Sequence, residues 1–454
     1  MKKQLYAGFG RVDVTPPMGI DVSGYFLIRK ADGVLDNLEV NALALKLDEV
    51  TVLMLTVDNC GLKRAFNDTI KARITAKTGV PVDAIFIHAT HTHTGPGYSA
   101  LTTDDPTAVK LMDDYMEFLY SRCVDAATFA IEDLKPAKMG YGVSQAPDIA
   151  FIRRFRMKDG SIKTNPGVNN PDIVAPIGDV DERVNVLRFE REGGTTIVLA
   201  NFGDHPDTVG GCKISGDWPS LTRRIFEKAI DNTNCIFFNG AQGDVNHVKV
   251  NPTAGDFNDM FNDFDGCSRG YGHAKHMAQV VVGAIMQIYS KVNYVDVDEI
   301  KYIQKFVDVP ANLPKPEEME LAHKYTDLHL AGRDDEIPFK AMMLTTMVAD
   351  AMRKVRLEHG PEKFSLLCSV LKLGNVAFFG FPGEPFTALG RAIKEAEGYD
   401  MILPCCNMNA KEGYFPPQEA YDEGGYEAKS SNFKAGVSER LVNAGLEMLA
   451  DLRK

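Results

Sequence analysis

Apolar, β-branched runs alternate with segments of helical periodicity along the whole chain, and this alternation constrains the fold more than any other feature. The runs predict strands because they are short and are bounded by turn-forming residues. They are NALALKL, VTVLMLTVD, AIFIHAT, TIVLANF, CIFFNGA, SLLCSVLKL and NVAFFGF. Helices are predicted over 62–78, 107–133, 219–231, 270–290, 315–330, 335–357 and 431–452. The alternation predicts a mixed α/β (α+β) architecture, and the absence of a repeat or low-complexity linker favours one large domain over 1–454.

Charge and composition exclude several classes of partner. The net charge of −12 leaves no basic excess to neutralise nucleic-acid phosphates or an anionic membrane. No apolar run approaches the roughly 18 residues of a membrane span, and the start, MKKQLYAGFGRVDVTPP, lacks the apolar stretch of a secretory signal. Eight scattered cysteines without a C-x-x-C pair predict reduced thiols in a cytoplasmic protein. We therefore expect a small-molecule substrate, with the oligomeric state left open.

Short polar clusters follow five of the predicted strands. The polar residues at these strand ends are Asp58, His91, His93, His205, Asp244, Asn246, His247 and Glu384. The ends of strands in a rigid sheet are where side chains converge on one pocket, and where α/β proteins tend to bind ligands. Five clusters that supply histidines and carboxylates predict one shared site.

The stretch AIFIHATHTHTGPG at 84–97 narrows the chemistry of that site. In an extended segment residues i and i+2 point to the same face, so we expect His91 and His93 to share a cavity. His88, inside the apolar run, is expected to be a hydrogen-bonded core residue. On their own, the histidines fit metal ligands, acid/base groups or polar residues at the end of a buried strand. With His205 and the Glu384 carboxylate they match a familiar catalytic zinc set.

The chain resembles the catalytic domain of the neutral ceramidase family, the neutral/alkaline non-lysosomal amidases. The matching stretches occur in family order and are AGFGRVDVTPP, ATHTHTGPG, NFGDHPDTVGG with ISGD, NGAQGDV, FPGEPFTALGR and NAKEGYFPPQEAYDEGGYE. The resemblance implies a mixed α/β fold with a buried zinc ion at the base of a pocket. It also implies that His91, His205, Glu384 and Tyr414 are the zinc ligands.

The same resemblance implies roles for residues beside the zinc. His93 would lie next to the zinc-bound water and move protons, and Tyr426 would lie near the scissile carbonyl. Arg153, with Arg154 as second choice, would match the family arginine. Either Tyr426 or Arg153 would stabilise the oxyanion. Without the resemblance, the tyrosines of this glycine-rich loop would be interpreted as aromatic anchors.

Three departures from the family pattern refine the hypothesis. Asn246 stands where the family has the serine of GDVS-P, and an amide cannot act as an alkoxide nucleophile. We therefore predict attack by zinc-activated water, with Asn246 positioning the substrate.

The polar loop 157–183, and a predicted helix instead of the family's immunoglobulin-like domain after residue 430, favour a substrate smaller and more polar than ceramide. The sequence thus predicts a zinc-dependent amidase. A zinc-dependent esterase or lactonase, and a non-catalytic metal-stabilised binding protein, are the alternatives.

Overall fold

Two β-sheets and the helices that cover them make up the structure, a computed structural model that describes residues 3–98 and 105–454. The larger sheet contains nine strands within these ranges. In spatial order they are Thr233–Asn239, Thr196–Phe202, Arg183–Arg191, Lys135–Gln145, Leu5–Asp13, Glu39–Leu47, Val50–Val57 and Ile85–Ala89, with Asn293–Val295 also pairing to Lys135–Gln145. The smaller sheet consists of Ile300–Pro310, Lys363–Leu373, Val376–Gly380 and Met401–Cys405.

Most neighbouring strands are antiparallel, and short additional strands brace the loops. Parallel pairing joins Val50–Val57 to Ile85–Ala89, Thr196–Phe202 to Thr233–Asn239, and Val376–Gly380 to Met401–Cys405. The two-residue pairs are Gly33–Val34 with Lys213–Ile214, Phe151–Ile152 with Val245–Asn246, Phe261–Asn262 with Ser268–Arg269, and Glu384–Pro385 with Tyr414–Phe415. A three-stranded unit contains Arg154–Met157, Ile162–Thr164 and Ile173–Pro176.

Ten α-helices lie within the described ranges. They are Arg64–Thr78, Pro106–Glu132, Asp217–Ala229, Tyr271–Tyr289, Met319–Leu330, Ala341–Leu357, Thr387–Lys394, Gln418–Glu423, Tyr426–Ser430 and Val437–Leu452. The helix Pro106–Glu132 packs directly on the strand Leu5–Asp13. Gly8 and Gly10 permit this close approach, because a Cβ at either position would overlap a carbonyl oxygen of the helix. No helix in the described part of the chain is long and apolar enough to cross a membrane.

The two sheets share a core. One continuous cluster of buried apolar side chains includes Leu53 and Ile87 of the larger sheet and Leu371 and Phe378 of the smaller. Further clusters lie where helices cover each sheet, one of them centred on Trp218. Burial of this kind, at about 25 cal/mol per Å² of apolar surface, is the main term that holds the elements together.

The predicted fold class is confirmed, and the differences are local. Each predicted strand and helix is present, most of them with ends shifted by a few residues. The last helix begins at Val437 and not at 431, because Gly436 has a φ of 93° and interrupts helical geometry before it. The segment 157–183, predicted as a loop, contains two short strands of the three-stranded unit. The helix Val437–Leu452 is the last element that the structure describes.

Candidate metal centre

The four side chains predicted as zinc ligands meet at one point of the fold. His91 and His205 each follow a strand of the larger sheet. Glu384 and Tyr414 are direct neighbours in a two-residue parallel pairing, so backbone hydrogen bonding itself sets them side by side. All four side chains are buried. The arrangement therefore draws on both sheets and does not depend on one flexible loop.

The spacing of the donor atoms fits a single metal ion. His91 Nε2 lies 3.3 Å from His205 Nε2, and Glu384 Oε2 lies 3.3 Å from the former and 3.4 Å from the latter. The Tyr414 hydroxyl lies 3.4 Å from His205 Nε2. Ligands at about 2.0–2.1 Å from a tetrahedral zinc are separated by about 3.3–3.4 Å. Each of these separations therefore matches an edge of such a tetrahedron.

Hydrogen bonds on the far side of each ring fix which nitrogen faces the centre. His91 Nδ1 donates to the Cys60 carbonyl at 2.6 Å, and His205 Nδ1 donates to the Gln242 carbonyl at 2.8 Å. A neutral imidazole carries one proton, so both Nε2 atoms present a lone pair to the centre. Cys60, His91 and His93 form a second group of ligand-type atoms. The Nδ1 of His91 is bonded to a carbonyl, and its Nε2 faces His205. The group formed by His91, His205 and Glu384 is therefore the better metal site.

Burial and neighbouring charges together set the pKa values of these ligands. Burial lowers the pKa of His205 to about 3, and Arg153 and His91 add to that effect. Burial also lowers the pKa of His91, but the Glu384 carboxylate and the Cys60 thiol raise it by more, to about 10. The pKa of Glu384, which burial raises, is held well below its usual range by His91 and His205. The buried carboxylate thus requires a neighbouring positive charge, which either a proton on His91 or a bound cation supplies.

His91 and His93 face one another, although the chain between them is not an extended strand. The strand ends at Ala89, and His91 has a φ of 76°, in the left-handed region. This conformation costs a non-glycine residue about 1–2 kcal/mol, and a 2.9 Å bond from the His91 N–H to the Asn59 carbonyl helps to hold it. The two Nε2 atoms are 3.3 Å apart. The two side chains do face one another, but the alternation argument for it was wrong, because His91 adopts a left-handed conformation and not an extended one.

His93 lies beside the candidate ligands with one ring nitrogen free. Its ring packs edge-on against Tyr25, with centroids 5.0 Å apart, and its carbonyl accepts a 2.7 Å hydrogen bond from Arg29. Burial and the neighbouring His91 lower the pKa of His93 well below its usual value. Its Nδ1 is buried and has no hydrogen-bond partner among the described residues. A neutral imidazole with an open nitrogen is therefore positioned next to the centre.

Arg153 and Tyr426 lie against Tyr414. The Tyr426 ring centroid is 5.6 Å from that of Tyr414, and the Arg153 guanidinium carbon is 5.4 Å from the Tyr414 ring centroid. Arg153 Nε donates a 2.7 Å hydrogen bond to Glu427, which is fully buried and was not identified from the sequence. The one sequence feature that could have pointed to Glu427 is its position directly after Tyr426 in GGYE. Arg154 bonds mainly to Glu423 and to the Gly424 carbonyl and is 3.9 Å from Glu427, so Arg153 is the arginine that lies against Tyr414.

Asn246 is fully buried, and both ends of its amide are bonded within the protein. Its Nδ2 donates to Asn165 Oδ1 at 3.1 Å, and its Oδ1 accepts from the Val248 N–H at 3.1 Å. Within the described ranges, no hydrogen bond joins it to the four candidate ligands. The adjacent His247 places Nδ1 3.2 Å from Asp207 Oδ1. The geometry gives Asn246 a part in shaping its loop.

His88, expected to be a core residue, is buried and bonded at both ring nitrogens. Nδ1 donates to the Cys406 carbonyl at 2.7 Å, and Nε2 accepts from the Asn239 N–H at 2.9 Å. Burial lowers the pKa of His88 to about 3, so the ring is neutral. This expectation is confirmed, and His88 is separate from the centre.

Two solved structures resemble this chain over nearly its whole length. The first, described as neutral ceramidase from Pseudomonas aeruginosa, has a TM-score of 0.72 and 17% identity, and the match covers 100% of this chain and 75% of that one. The second, described as ceramidase complexed with C2, has a TM-score of 0.72 and 16% identity, with 99% and 75% covered. No protein-family model and no curated protein sequence matches the chain. At this identity the likeness establishes the fold, which is that of the neutral ceramidases.

Proposed function

We propose that this chain is a zinc-dependent hydrolase that cleaves an amide bond in a small-molecule substrate, smaller and more polar than ceramide. The proposal rests on the 3.3–3.4 Å separations of the donor atoms of His91, His205, Glu384 and Tyr414. Catalytic zinc sites use such nitrogen and oxygen ligands and keep one position for water or substrate. The fold shared with two ceramidase structures adds support.

The surrounding residues suit amide hydrolysis. A zinc ion held at this point would polarise a carbonyl group and lower the pKa of a bound water toward about 7. His93 is neutral and lies within reach of the centre, so it would take up a proton from the attacking water and pass it to the leaving nitrogen. Arg153 and Tyr426 would donate hydrogen bonds to the carbonyl oxygen as it gains negative charge. Burial raises the pKa of Tyr426, so its hydroxyl keeps the proton that it donates.

Water is the proposed nucleophile because no serine stands in the loop where the family resemblance places one. Asn246 occupies that position, and its amide is bonded at both ends. An amide does not attack a carbonyl as an alkoxide does. Asn246 is therefore assigned to positioning its neighbours, and no acyl-enzyme forms at this residue.

One catalytic domain over 1–454 and a cytoplasmic location are part of the proposal. The shared core between the two sheets supports a single domain. All eight cysteines are unpaired, as is usual for proteins of reducing compartments. The acidic net charge of −12 supports a small-molecule partner over a nucleic acid.

The test combines metal analysis of the purified full-length protein with a panel of amides, esters and lactones. We expect about one zinc per chain and turnover of a polar amide, both lost in His205→Ala. The matched control is His323→Ala, which changes an exposed histidine that pairs with Glu358 on the surface. If only esters or lactones are turned over, the proposed class of cleaved bond is wrong, and the proposed zinc-dependent mechanism is retained. Zinc without turnover of any compound would favour a metal-stabilised binding protein, and absence of metal binding would overturn the proposal.

A further inference from the structure

A lysine and a cysteine are in contact behind the candidate metal centre. Lys411 Nζ donates to Cys60 Sγ at 2.9 Å, although the two residues are 351 positions apart in the chain. Cys60 is 1% exposed, and Lys411 is partly buried. Among the described residues, the thiol is the side-chain hydrogen-bond partner of this lysine, and the Glu384 carboxylate adds a weaker electrostatic attraction. The Lys411 ammonium group is thus in direct contact with the Cys60 sulfur.

The fold is built to allow this contact. The stem of Lys411 crosses Gly61, where a Cβ would overlap the lysine side chain. Only glycine after Cys60 therefore lets the nitrogen reach the sulfur. Other cysteines have different surroundings, since Cys123 and Cys235 are buried among apolar side chains. Within the described ranges, no hydrogen bond from a lysine to either of these two is present.

We propose that Cys60 and Lys411 form a reversible covalent cross-link when the protein meets peroxide. In the first step the Cys60 thiol reduces one hydrogen peroxide, which gives a sulfenic acid and one water. Lys411 then gives one proton to solvent and attacks the sulfur as the free amine. The S–O bond breaks, the hydroxyl leaves as water with a second amine proton, and an S–N bond remains. One thiol, one amine and one peroxide thus become one sulfenamide and two waters.

Proximity favours capture of the sulfenic acid by this amine. The nitrogen already touches the sulfur, so the reaction needs no rearrangement of the backbone and gains the advantage of a preformed contact. Sulfenic acids condense with nearby nitrogen nucleophiles to sulfenamides. A small thiol in excess reverses the product, since two equivalents regenerate Cys60 and Lys411 and leave as a disulfide.

The cross-link would join two segments that support the centre. The Cys60 carbonyl accepts the 2.6 Å hydrogen bond from His91 Nδ1, and Lys411 lies three residues before Tyr414 in the sequence. An oxidised chain would therefore hold the supports of two candidate ligands in one covalent unit. The inference itself depends on neither a bound metal nor hydrolysis.

The experiment uses the full-length protein exposed to a small molar excess of hydrogen peroxide, alkylated, digested and analysed by tandem mass spectrometry. We expect a peptide pair containing residues 60 and 411 whose mass is two hydrogen atoms below the sum of the free peptides. Dithiothreitol before alkylation should remove this pair completely. The wild-type protein alone decides this outcome, so the test does not depend on the folding of any variant.

Two variants and one matched control sharpen the result. In Lys411→Arg, which keeps the positive charge and removes the amine nucleophile, dimedone should label Cys60 after peroxide and the linked pair should be absent. Cys123→Ser, a control at a buried apolar cysteine, should form the linked pair as the wild type does. Cys60 that remains a free thiol after peroxide would overturn the inference. Equal dimedone labelling of Cys60 in wild type and Lys411→Arg, without a linked pair, would overturn it as well.

Discussion

Replacing Glu427 by alanine removes the carboxylate that neutralises Arg153 inside the protein. Glu427 is fully buried and accepts hydrogen bonds from Arg153 Nε at 2.7 Å and from the Thr164 hydroxyl at 2.8 Å. Removing one partner of a buried ion pair costs about 3–5 kcal/mol, because the other charge stays buried without compensation. For 454 residues, at about 2.1 cal/mol/K each, the unfolding entropy is about 1 kcal/mol/K. The midpoint of thermal unfolding should therefore fall by about 3–5 °C.

Differential scanning calorimetry of a double-mutant cycle measures this coupling. Arg153→Met should also destabilise, and the double variant with Glu427→Ala should lose less than the sum of the two single changes, since neither member of the Arg153–Glu427 pair is then left without the other. Arg154, which also lies 3.9 Å from Glu427, keeps its ion pair with Glu423. Glu117→Ala is the matched control, because its pair with Arg73 is solvent-exposed and contributes at most about 1 kcal/mol. If Glu427→Ala shifts the midpoint no more than Glu117→Ala, or if the cycle is additive, the reasoning about this buried pair is refuted.

Three further changes test separate parts of the site and the fold. His91→Ala should abolish zinc retention, whereas His93→Ala should keep the metal and lower turnover by about a hundredfold or more. Metal analysis combined with kinetics distinguishes the two variants. Loss of zinc from both variants would contradict these roles. Asn246→Ala should keep the metal and lower turnover by about tenfold to a hundredfold, and a trapped acyl-enzyme intermediate would exclude attack by water. Burial lowers the pKa of Lys71 from 10.5 to about 8, so the unfolded chain holds more protons at this residue between these pH values, and the contribution of Lys71 to stability should rise by about 3 kcal/mol across this window. Denaturant unfolding at pH 8 and pH 10.5 isolates this contribution: the change in unfolding free energy between the two pH values should be about 3 kcal/mol more favourable in the control Lys77→Met, which changes an exposed lysine of the same helix, than in Lys71→Met. The same change in both variants would contradict the assignment.

The strands that could be predicted from the sequence are those in which apolar and β-branched residues predominate. Thr196–Phe202 and Lys363–Leu373 are of this kind. Leu5–Asp13 and Lys135–Gln145 were missed, because glycine, lysine and polar residues break their apolar pattern and helices complete the burial from outside. The helix Thr387–Lys394 was missed because eight residues give too little periodicity to recognise.

The convergence of the site could be predicted only in part, for a related reason. His91, His205 and Glu384 follow apolar strands, so their meeting at the strand ends was foreseeable from the residues alone. Tyr414 lies in a loop and came from the family resemblance. Glu427 is defined by its hydrogen bond to an arginine 274 positions away. Contacts of such separation leave no local pattern in a single sequence.

The backbone pairing of Glu384 with Tyr414 has a consequence for how proteins of this fold can diverge. The segment that connects these two neighbours contains the helix Thr387–Lys394 and the strand Met401–Cys405. An insertion or deletion in the loops of this connecting segment moves neither donor atom, because the pairing of the two short strands sets the distance between them. A one-residue slip at the pairing itself displaces both donors at once. Natural variation in length should therefore occur in the segment between the two strands and be absent next to the paired residues, so that the surroundings can change while Glu384 and Tyr414 keep their positions.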